Sequence, residues 1–439
     1  MTDTVFALAS APGRGGVAVM RVSGPAAGGA LSALTGRSLP PARRASLARL
    51  RDPGTGDPID TGIVLWFPGP ASFTGEDVAE IQVHGGRAVV AALAEALAAR
   101  PGLRPAEPGE FSRRAFENGR LDLTEAEAIA DLVDAETSAQ RRQALRQMDG
   151  ALGRLYEDWR GRLMRALAHL EAEIDFPDED LPGGVGAAVR PVLEALAGEI
   201  ADHLDDGHRG ERLRDGISVA ILGAPNAGKS SLLNALARRD AAIVSETAGT
   251  TRDVIEVHLD LGGYPVVLAD TAGLREATDA VETEGIRRAL ARAEAADLRI
   301  AVFDAAALPA LDARTAALLG GSTLAVVNKI DAHPGAVVPN GMMALSAKTG
   351  AGVAAVMGRL EALVAERFGV GQAPALTRAR HRAALEDCRR ALAGALEAPL
   401  PELAAEDVRL AVRALGRITG RVDVEDLLDV IFRDFCIGK

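Results

Sequence analysis

At 439 residues the chain is long enough for about three domains, and 48% hydrophobic against 25% charged residues is the balance of a protein with sizeable cores. No apolar run approaches the roughly 18 residues needed to span a bilayer, no basic leader precedes an apolar stretch, and Cys388 and Cys436 are too few for a disulfide framework; a cytoplasmic protein without membrane contact is expected. The net charge of −12 argues against broad, non-specific nucleic-acid binding, though not against a local basic patch or nucleic acid held by a partner.

In chain order, Val17–Gly24, Gly62–Phe67 and Val78–Gly86 are β-rich runs punctuated by Gly and Pro. The last closes at a Gly pair that opens an Ala/Leu helix running to Arg100. Residues 1–118 are therefore expected to form an α+β domain. From 119 the chain turns helical, with Thr124 and Glu127 in capping-box spacing and Ile129, Leu132 and Val133 on one helical face. Amphipathic stretches follow over 151–174 and 187–209, parted by the Pro/Gly-rich loop Leu181–Gly186. Residues 215–370 read as strand, glycine loop and helix in repetition, a doubly wound α/β domain. Helical periodicity returns over 376–397, 404–418 and 423–435, within the block 371–439. Helical blocks at 119–214 and 371–439, flanking an α/β unit, suggest one helical domain with the α/β domain inserted.

The inserted segment carries the chemistry. Gly223 to Ser230 spells GxxxxGKS directly after an apolar strand and before a helix, the context a P-loop requires. Its backbone N–H groups, those of Ala227 and Gly228 among them, would close on phosphates at a helix N-terminus. Lys229 would reach the β/γ-phosphates, while Ser230, with Ser231 beside it, would offer its hydroxyl to Mg²⁺. NKID (Asn328, Lys329, Ile330, Asp331) selects the base: the Asp331 carboxylate can accept from guanine N1–H and the 2-amino group, whereas adenine offers no such pair. The Lys329 stem would cover the base plane, and Ser346, Ala347 and Lys348 would close over guanine O6. Between these motifs, Asp270 of DTAG can hold a Mg²⁺-bound water and Gly273 can donate to the γ-phosphate. Thr251 is the candidate switch threonine on Mg²⁺. Leu274 occupies the place where many hydrolysing relatives carry a water-orienting Gln, so another polar residue must serve; Glu276, Glu282 and Glu284 are the nearby carboxylates.

Lysine usage points the same way. The chain holds 49 Lys plus Arg, yet Lys occurs only at 229, 329, 348 and 439. Such sites suit a compact ammonium that a planar guanidinium does not replace.

These motifs, with PGRGGVAVMRVSG, FTGEDVAEIQVHGG, EFSRRAFENGRLDLTEAEAIADLVDAET and the terminal FCIGK, resemble the MnmE (TrmE) family of tRNA-modifying GTPases over essentially the whole chain. The resemblance implies a multidomain α+β, all-α and α/β protein: an N-terminal tetrahydrofolate-binding and dimerisation domain, a central helical domain, and an inserted Ras-like P-loop GTPase domain. It implies that Glu282 orients the hydrolytic water. K⁺ would sit at the phosphates with Asn226 as side-chain ligand and Ser245, Thr247 and Thr250 contributing from the following loop. Read from the residues alone, the alternative role for Asn226 is to cap the helix. Arg21, Glu80 and Arg120 match the family's folate-contacting positions, with Arg120 standing where Lys is frequent. Lys439 and Cys436 of the terminal CIGK would reach the folate site of a dimer, and Cys436 is open between a chemical and a structural role.

The implied reaction is addition of a carboxymethylaminomethyl or aminomethyl group to C5 of the tRNA wobble uridine. The one-carbon unit would come from 5,10-methylenetetrahydrofolate, with 5-formyltetrahydrofolate as a related ligand. The implied partners are a second copy of the chain, tRNA, and an FAD- and NADH-using protein of the MnmG (GidA) type in a heterotetramer or larger complex. Two rivals remain at this level: a GTP-dependent ribosome-assembly switch that binds rRNA, and a stand-alone folate enzyme regulated by its GTPase domain.

Overall fold

The structure, a computed structural model, describes residues 3–175, 185–238, 256–270, 295–369, 371, 374–422, 425–433 and 435–438. They fall into two compact units, the first made of Met1–Ala130, Gln147–Leu196 and Asp387–Lys439, the second of Asp131–Arg146 and Ala197–Glu386.

The first unit begins with a sheet of six strands, β1 (Thr4–Leu8), β2 (Gly15–Ser23), β3 (Ser46–Arg51), β4 (Pro58–Phe67), β5 (Val78–Gly85) and β6 (Leu103–Pro105), in the order β3-β4-β5-β2-β1-β6. All pairings are antiparallel except β1 with β6. Alternation explains the layering: Ala18, Met20 and Val22 of β2 turn inward while Val19 and Arg21 turn to the other face. Helices α1 (Ala27–Thr35) and α2 (Arg87–Ala98) cover the inward face through Leu31, Leu34, Leu93 and Leu97, all fully buried. The three expected strands are β2, β4 and β5. Edge strand β3 escaped sequence reading because its alternation is imperfect: Leu47 is 71% exposed while Ala48 and Leu50 face inward.

One expectation for the helical region is corrected. Helix α3 (Glu110–Glu117) leads into α4 (Leu123–Val133), whose start is fixed by Asp122 and Glu125. The Glu125 N–H donates to Asp122 Oδ1 at 2.9 Å and the Asp122 N–H to Glu125 Oε2 at 2.8 Å. This reciprocal capping box lies two residues before the Thr124–Glu127 pair, and those two side chains are buried instead. The buried residues of α4 are Leu123, Thr124, Ala126, Glu127 and Ala128, near the helix start, while Val133 at its end is 42% exposed.

After α5 (Ser138–Met148), the long α6 (Ala151–Asp175) buries Leu152, Tyr156, Trp159, Leu163, Ala166 and Leu170 at helical spacing. The helices that follow are α7 (Val185–Leu204), α8 (Arg209–Asp215), α9 (Lys229–Ala237), α10 (Val353–Phe368), α11 (Ala379–Glu397), α12 (Pro401–Thr419) and α13 (Glu425–Arg433). Helix α12, opened by Pro401 in its first turn, packs on α6 with Val408, Ala411, Leu415 and Ile418 inward. Phe432 and Phe435 join Leu123 and Ala126 in a small core. This brings the chain's end against the N-terminal domain: Pro108 bridges Ile437, and a Cβ on Gly438 would meet the Leu8 carbonyl at 2.4 Å.

The second unit is built on β7 (Ile217–Gly223), β8 (Glu256–Leu261), β9 (Tyr264–Asp270), β10 (Leu298–Asp304), β11 (Thr323–Asn328) and β12 (Met343–Ala344), in the order β12-β11-β10-β7-β9-β8. It is parallel apart from β8, which runs antiparallel to β9. Nearly continuous apolar runs such as SVAIL and IAVF are what a sheet covered on both faces requires. Residues 332–341 contain no helix, as their Pro/Gly content suggests. Among the described residues no helix is long and apolar enough to cross a membrane.

Candidate functional site

The nucleotide motifs lie at the carboxyl ends of the parallel strands, where open α/β sheets place ligands. Strand β7 delivers the P-loop. Asn226 takes φ 63 and Gly228 φ 93, left-handed values that turn the chain into α9. Gly228 also has no room for a side chain, since a Cβ would stand 2.2 Å from Asn328 Nδ2. Lys229 Nζ donates to the Gly223 and Ala224 carbonyls at 3.0 Å each, so the ammonium lies over the loop it is expected to serve. Ser230 and Ser231 stand exposed in the first turn of α9. Gly228 is the N-cap of α9, and Asn226 lies exposed two residues before it. Strand β9 brings Asp270 level with Ile221 of β7, beside the start of the P-loop.

The base loops are tied to the P-loop by Asn328, 1% exposed at the end of β11. Its Nδ2 donates to the Ala227 carbonyl at 2.9 Å, and its Oδ1 accepts from the Ala347 N–H at 3.0 Å. One amide thereby sets the phosphate loop and the guanine loop at a fixed separation. This tethering role was not legible in the sequence, where Asn328 read only as part of NKID. Lys329 follows with φ 66, and its Nζ pairs with Asp304 Oδ2 at 2.6 Å. Burial pushes the Asp304 carboxyl up, but the Lys329 ammonium outweighs it and holds the carboxyl below its usual range. The Ser346 hydroxyl donates to the exposed Asp331 carboxylate and holds its pKa below the usual range. Ser346 itself is fully buried, its backbone N–H donating to Ala351 O at 2.8 Å. Lys348 is exposed at the rim. Ser245, Thr247, Thr250, Thr251, Gly273, Leu274, Glu276, Glu282, Glu284 and Lys439 lie outside the described residues.

In the N-terminal sheet, Arg21 and Glu80 are cross-strand partners of β2 and β5. Arg21 Nη2 and Nε donate to Glu80 Oε1 at 2.9 and 3.1 Å. The guanidinium also lies 5.5 Å from the Phe73 ring centroid and 5.8 Å from that of Phe111. Arg120 is exposed, its stem against the turn at Gly75. The segment 73–77 thus touches both arginines.

That segment is anchored by a network that sequence reading missed. Arg114, 1% exposed, donates to Glu76 Oε2 and Asp3 Oδ1 at 3.0 Å each and to Glu110. Glu76 accepts from the Ser23 hydroxyl, and Asn118 Nδ2 donates to the Thr74 carbonyl at 2.7 Å. The only sequence signal was charge inside FTGED and EFSRR, which a solvated face would show equally. Cys436 is exposed, and its carbonyl accepts from the Gly109 N–H. Cys388 is buried, which pushes its thiol up to about 12.

A P-loop, an NKID segment and a strand-end aspartate on one doubly wound sheet define a GTPase domain. It is joined in one chain to an N-terminal α+β domain and a helical domain. A family model for the MnmE helical domain matches residues 123–436, and one for the GTP-binding protein TrmE N-terminus matches residues 4–120. The chain is 63% identical over 442 residues to a tRNA modification GTPase MnmE of Parvibaculum lavamentivorans, covering 100% of both. It is 61% identical over 453 residues to the like-named protein of Rhodospirillum rubrum, covering 100% of this chain and 99% of that one. For that of Paramagnetospirillum magneticum the figures are 60% over 443 residues and 100% of both. The chain belongs to the MnmE family.

Proposed function

We propose that this chain is a K⁺-dependent GTPase that modifies tRNA. Its cycle would drive carboxymethylaminomethyl or aminomethyl addition to C5 of the wobble uridine. The one-carbon unit would be borne by tetrahydrofolate, and an FAD-dependent protein of the MnmG type would be the partner of a homodimer. The observation that carries the reading is the pairing, in one chain, of a guanine-reading P-loop domain with the Arg21–Glu80 site.

Asp331, held ionised by Ser346, accepts from guanine N1–H and the 2-amino group. The Ala347 N–H is already committed to Asn328, so O6 falls to the neighbouring N–H of Lys348. Lys229 exchanges its two carbonyl acceptors for phosphate oxygens when nucleotide enters. Ser230 and Asp270 suit Mg²⁺ because both are oxygen donors beside the P-loop. Asn226, exposed in the P-loop, is the side chain for K⁺. When bound, the two cations would supply positive charge where negative charge develops on the phosphate oxygens in the transition state. Glu282 orients water in place of the Gln that Leu274 replaces.

In the N-terminal domain, Glu80 uses one oxygen, Oε1, for both Arg21 bonds. Its Oε2 suits the N–H donors of a pterin ring, and Arg21 and Arg120 suit a carbonyl or a glutamate tail. Folate supplies the one-carbon unit there; the residues of this chain bind and orient it. The reaction places the protein in the cytoplasm.

GTP turnover measured in K⁺ and in Na⁺, with Glu282→Ala alongside, tests the hydrolytic part. The reading expects turnover to fall at least tenfold in Na⁺ and by about a hundredfold or more without Glu282. Equal rates in both salts, or full activity of the variant, would overturn it.

A further inference from the structure

Helix α5 follows a helical stretch in sequence, yet its first residues pack with the GTPase sheet in the second compact unit. Its contacts there are specific. The Ala139 N–H donates to the Gly263 carbonyl at 2.9 Å, so the tip of the β8–β9 hairpin caps the first turn of α5. The fit is close: a Cβ on Gly263 would stand 2.4 Å from Ser138 Oγ. Further along, Gln140 Nε2 donates to Arg214 O at 3.1 Å and Gln143 Nε2 to Gly210 O at 3.0 Å. Both acceptors belong to α8, which leads into β7. Arg146 Nη1 donates to Gly371 O at 2.9 Å, just past the end of α10. One helix is therefore fastened to the hairpin, to the entry of the sheet and to its exit.

The hairpin is the informative contact. Its turn, Gly262 at φ 59 and Gly263 at φ 90, is set by glycines, and a Cβ on Gly262 would collide with Glu361 of α10. Its strands are fixed in the core through Leu259, Leu261, Val266 and Leu268. Strand β9 runs from the turn to Asp270, about 20 Å away at a strand's rise per residue. Asp270 lies beside the P-loop, and the chain enters β8 from the segment bearing Thr251. A strand pair fixed in the core thus has one end at the phosphate site and the other on the first turn of α5.

We propose that the β8–β9 hairpin reports the nucleotide state to α5, its Gly263 carbonyl tightening or releasing the Ala139 N–H as Asp270 and its neighbours respond to the γ-phosphate. The proposal rests on the GTPase reading and adds to it the element through which that state leaves the sheet.

The test is hydrogen–deuterium exchange of the full chain with Mg²⁺ and either GDP or guanylyl imidodiphosphate. The amides over 137–144 are expected to differ in exchange about fivefold between the two states, the protection that one ordinary hydrogen bond confers. Gly263→Ala and Ser138→Leu wedge the contact from opposite sides. In both, the difference should fall below twofold while GTP turnover stays near native. Protection of the β7 and β9 amides in each variant confirms that the sheet has folded. Equal exchange over 137–144 in the two states of the native chain would overturn the proposal. So would a fivefold difference that survives in both variants. Turnover read on the same sample separates failure of this coupling from failure of the GTPase reading, which would show as no hydrolysis at all.

Discussion

Replacing Asn328 by Ala removes a side chain that ties the P-loop to the segment at Ser346–Lys348. Two backbone groups lose their partners, the buried Ala227 carbonyl and the half-buried Ala347 N–H. Each such orphan costs roughly 1–3 kcal/mol. Water entering the space left by the amide offsets part of that, and we expect a net loss of about 3 kcal/mol. Nucleotide binding requires both loops in place, so GDP affinity should fall about 150-fold by the usual conversion. Titration of a fluorescent GDP analogue reads this directly. Asn328→Asp sharpens the test because it keeps shape and one contact. Its carboxylate can still accept from Ala347 N–H, but it sets a negative oxygen against the Ala227 carbonyl. Its affinity should therefore be no better than that of the Ala variant. GDP binding within threefold of native for Asn328→Ala, or native-like binding for Asn328→Asp, would refute the tether.

Asp331→Asn should lower GTP affinity about a hundredfold or more and raise affinity for xanthosine triphosphate, whose 2-oxo group accepts from the new amide; competition titrations of both nucleotides check this. Burial pushes the Glu110 carboxyl up, but Arg104, the Glu107 N–H and Arg114 together hold it below its usual range. A depressed folded-state pKa contributes stability that is complete above the unfolded value of about 4.3 and is lost as pH falls through the folded one. Exchange protection of β1 should therefore hold at neutral pH and drop below about pH 4, and Glu110→Gln should flatten that acid limb. In native protein at pH 8, an alkylating reagent should modify Cys436 readily and leave Cys388, buried with its thiol near 12, untouched until unfolding. Peptide mass spectrometry after timed labelling distinguishes the two, and equal labelling would contradict the burial of α11.

What could be read from the sequence was chemistry carried by contiguous residues. GAPNAGKS needs only its own backbone, a strand before it and a helix after it, and all three stand where expected. What could not be read depends on residues distant in the chain. Asn328 acts through partners 101 and 19 positions away, and Lys329 finds Asp304 25 positions earlier. Thr124 and Glu127 satisfied the spacing of a capping box, but Asp122 and Glu125 satisfied it equally, and only burial of the first pair decides. The division at 119–214 followed helical composition, whereas the contacts of Ala139, Gln140 and Gln143 place the start of α5 with the GTPase sheet. Composition records what an element is made of, not what it packs against. In the N-terminal domain, Arg21 and Glu80 were singled out only by family resemblance. Their cross-strand register in β2 and β5 gives that pairing a geometric basis.

The central claim is that GTP turnover in this chain drives tRNA modification. The most direct measurement is mass spectrometry of the wobble nucleoside in tRNA from cells whose only copy carries Lys229→Ala, with protein abundance checked in the same culture. The account predicts that C5 aminomethyl-type modification disappears while the variant accumulates at native levels. Full modification supported by a variant that hydrolyses no GTP would contradict it.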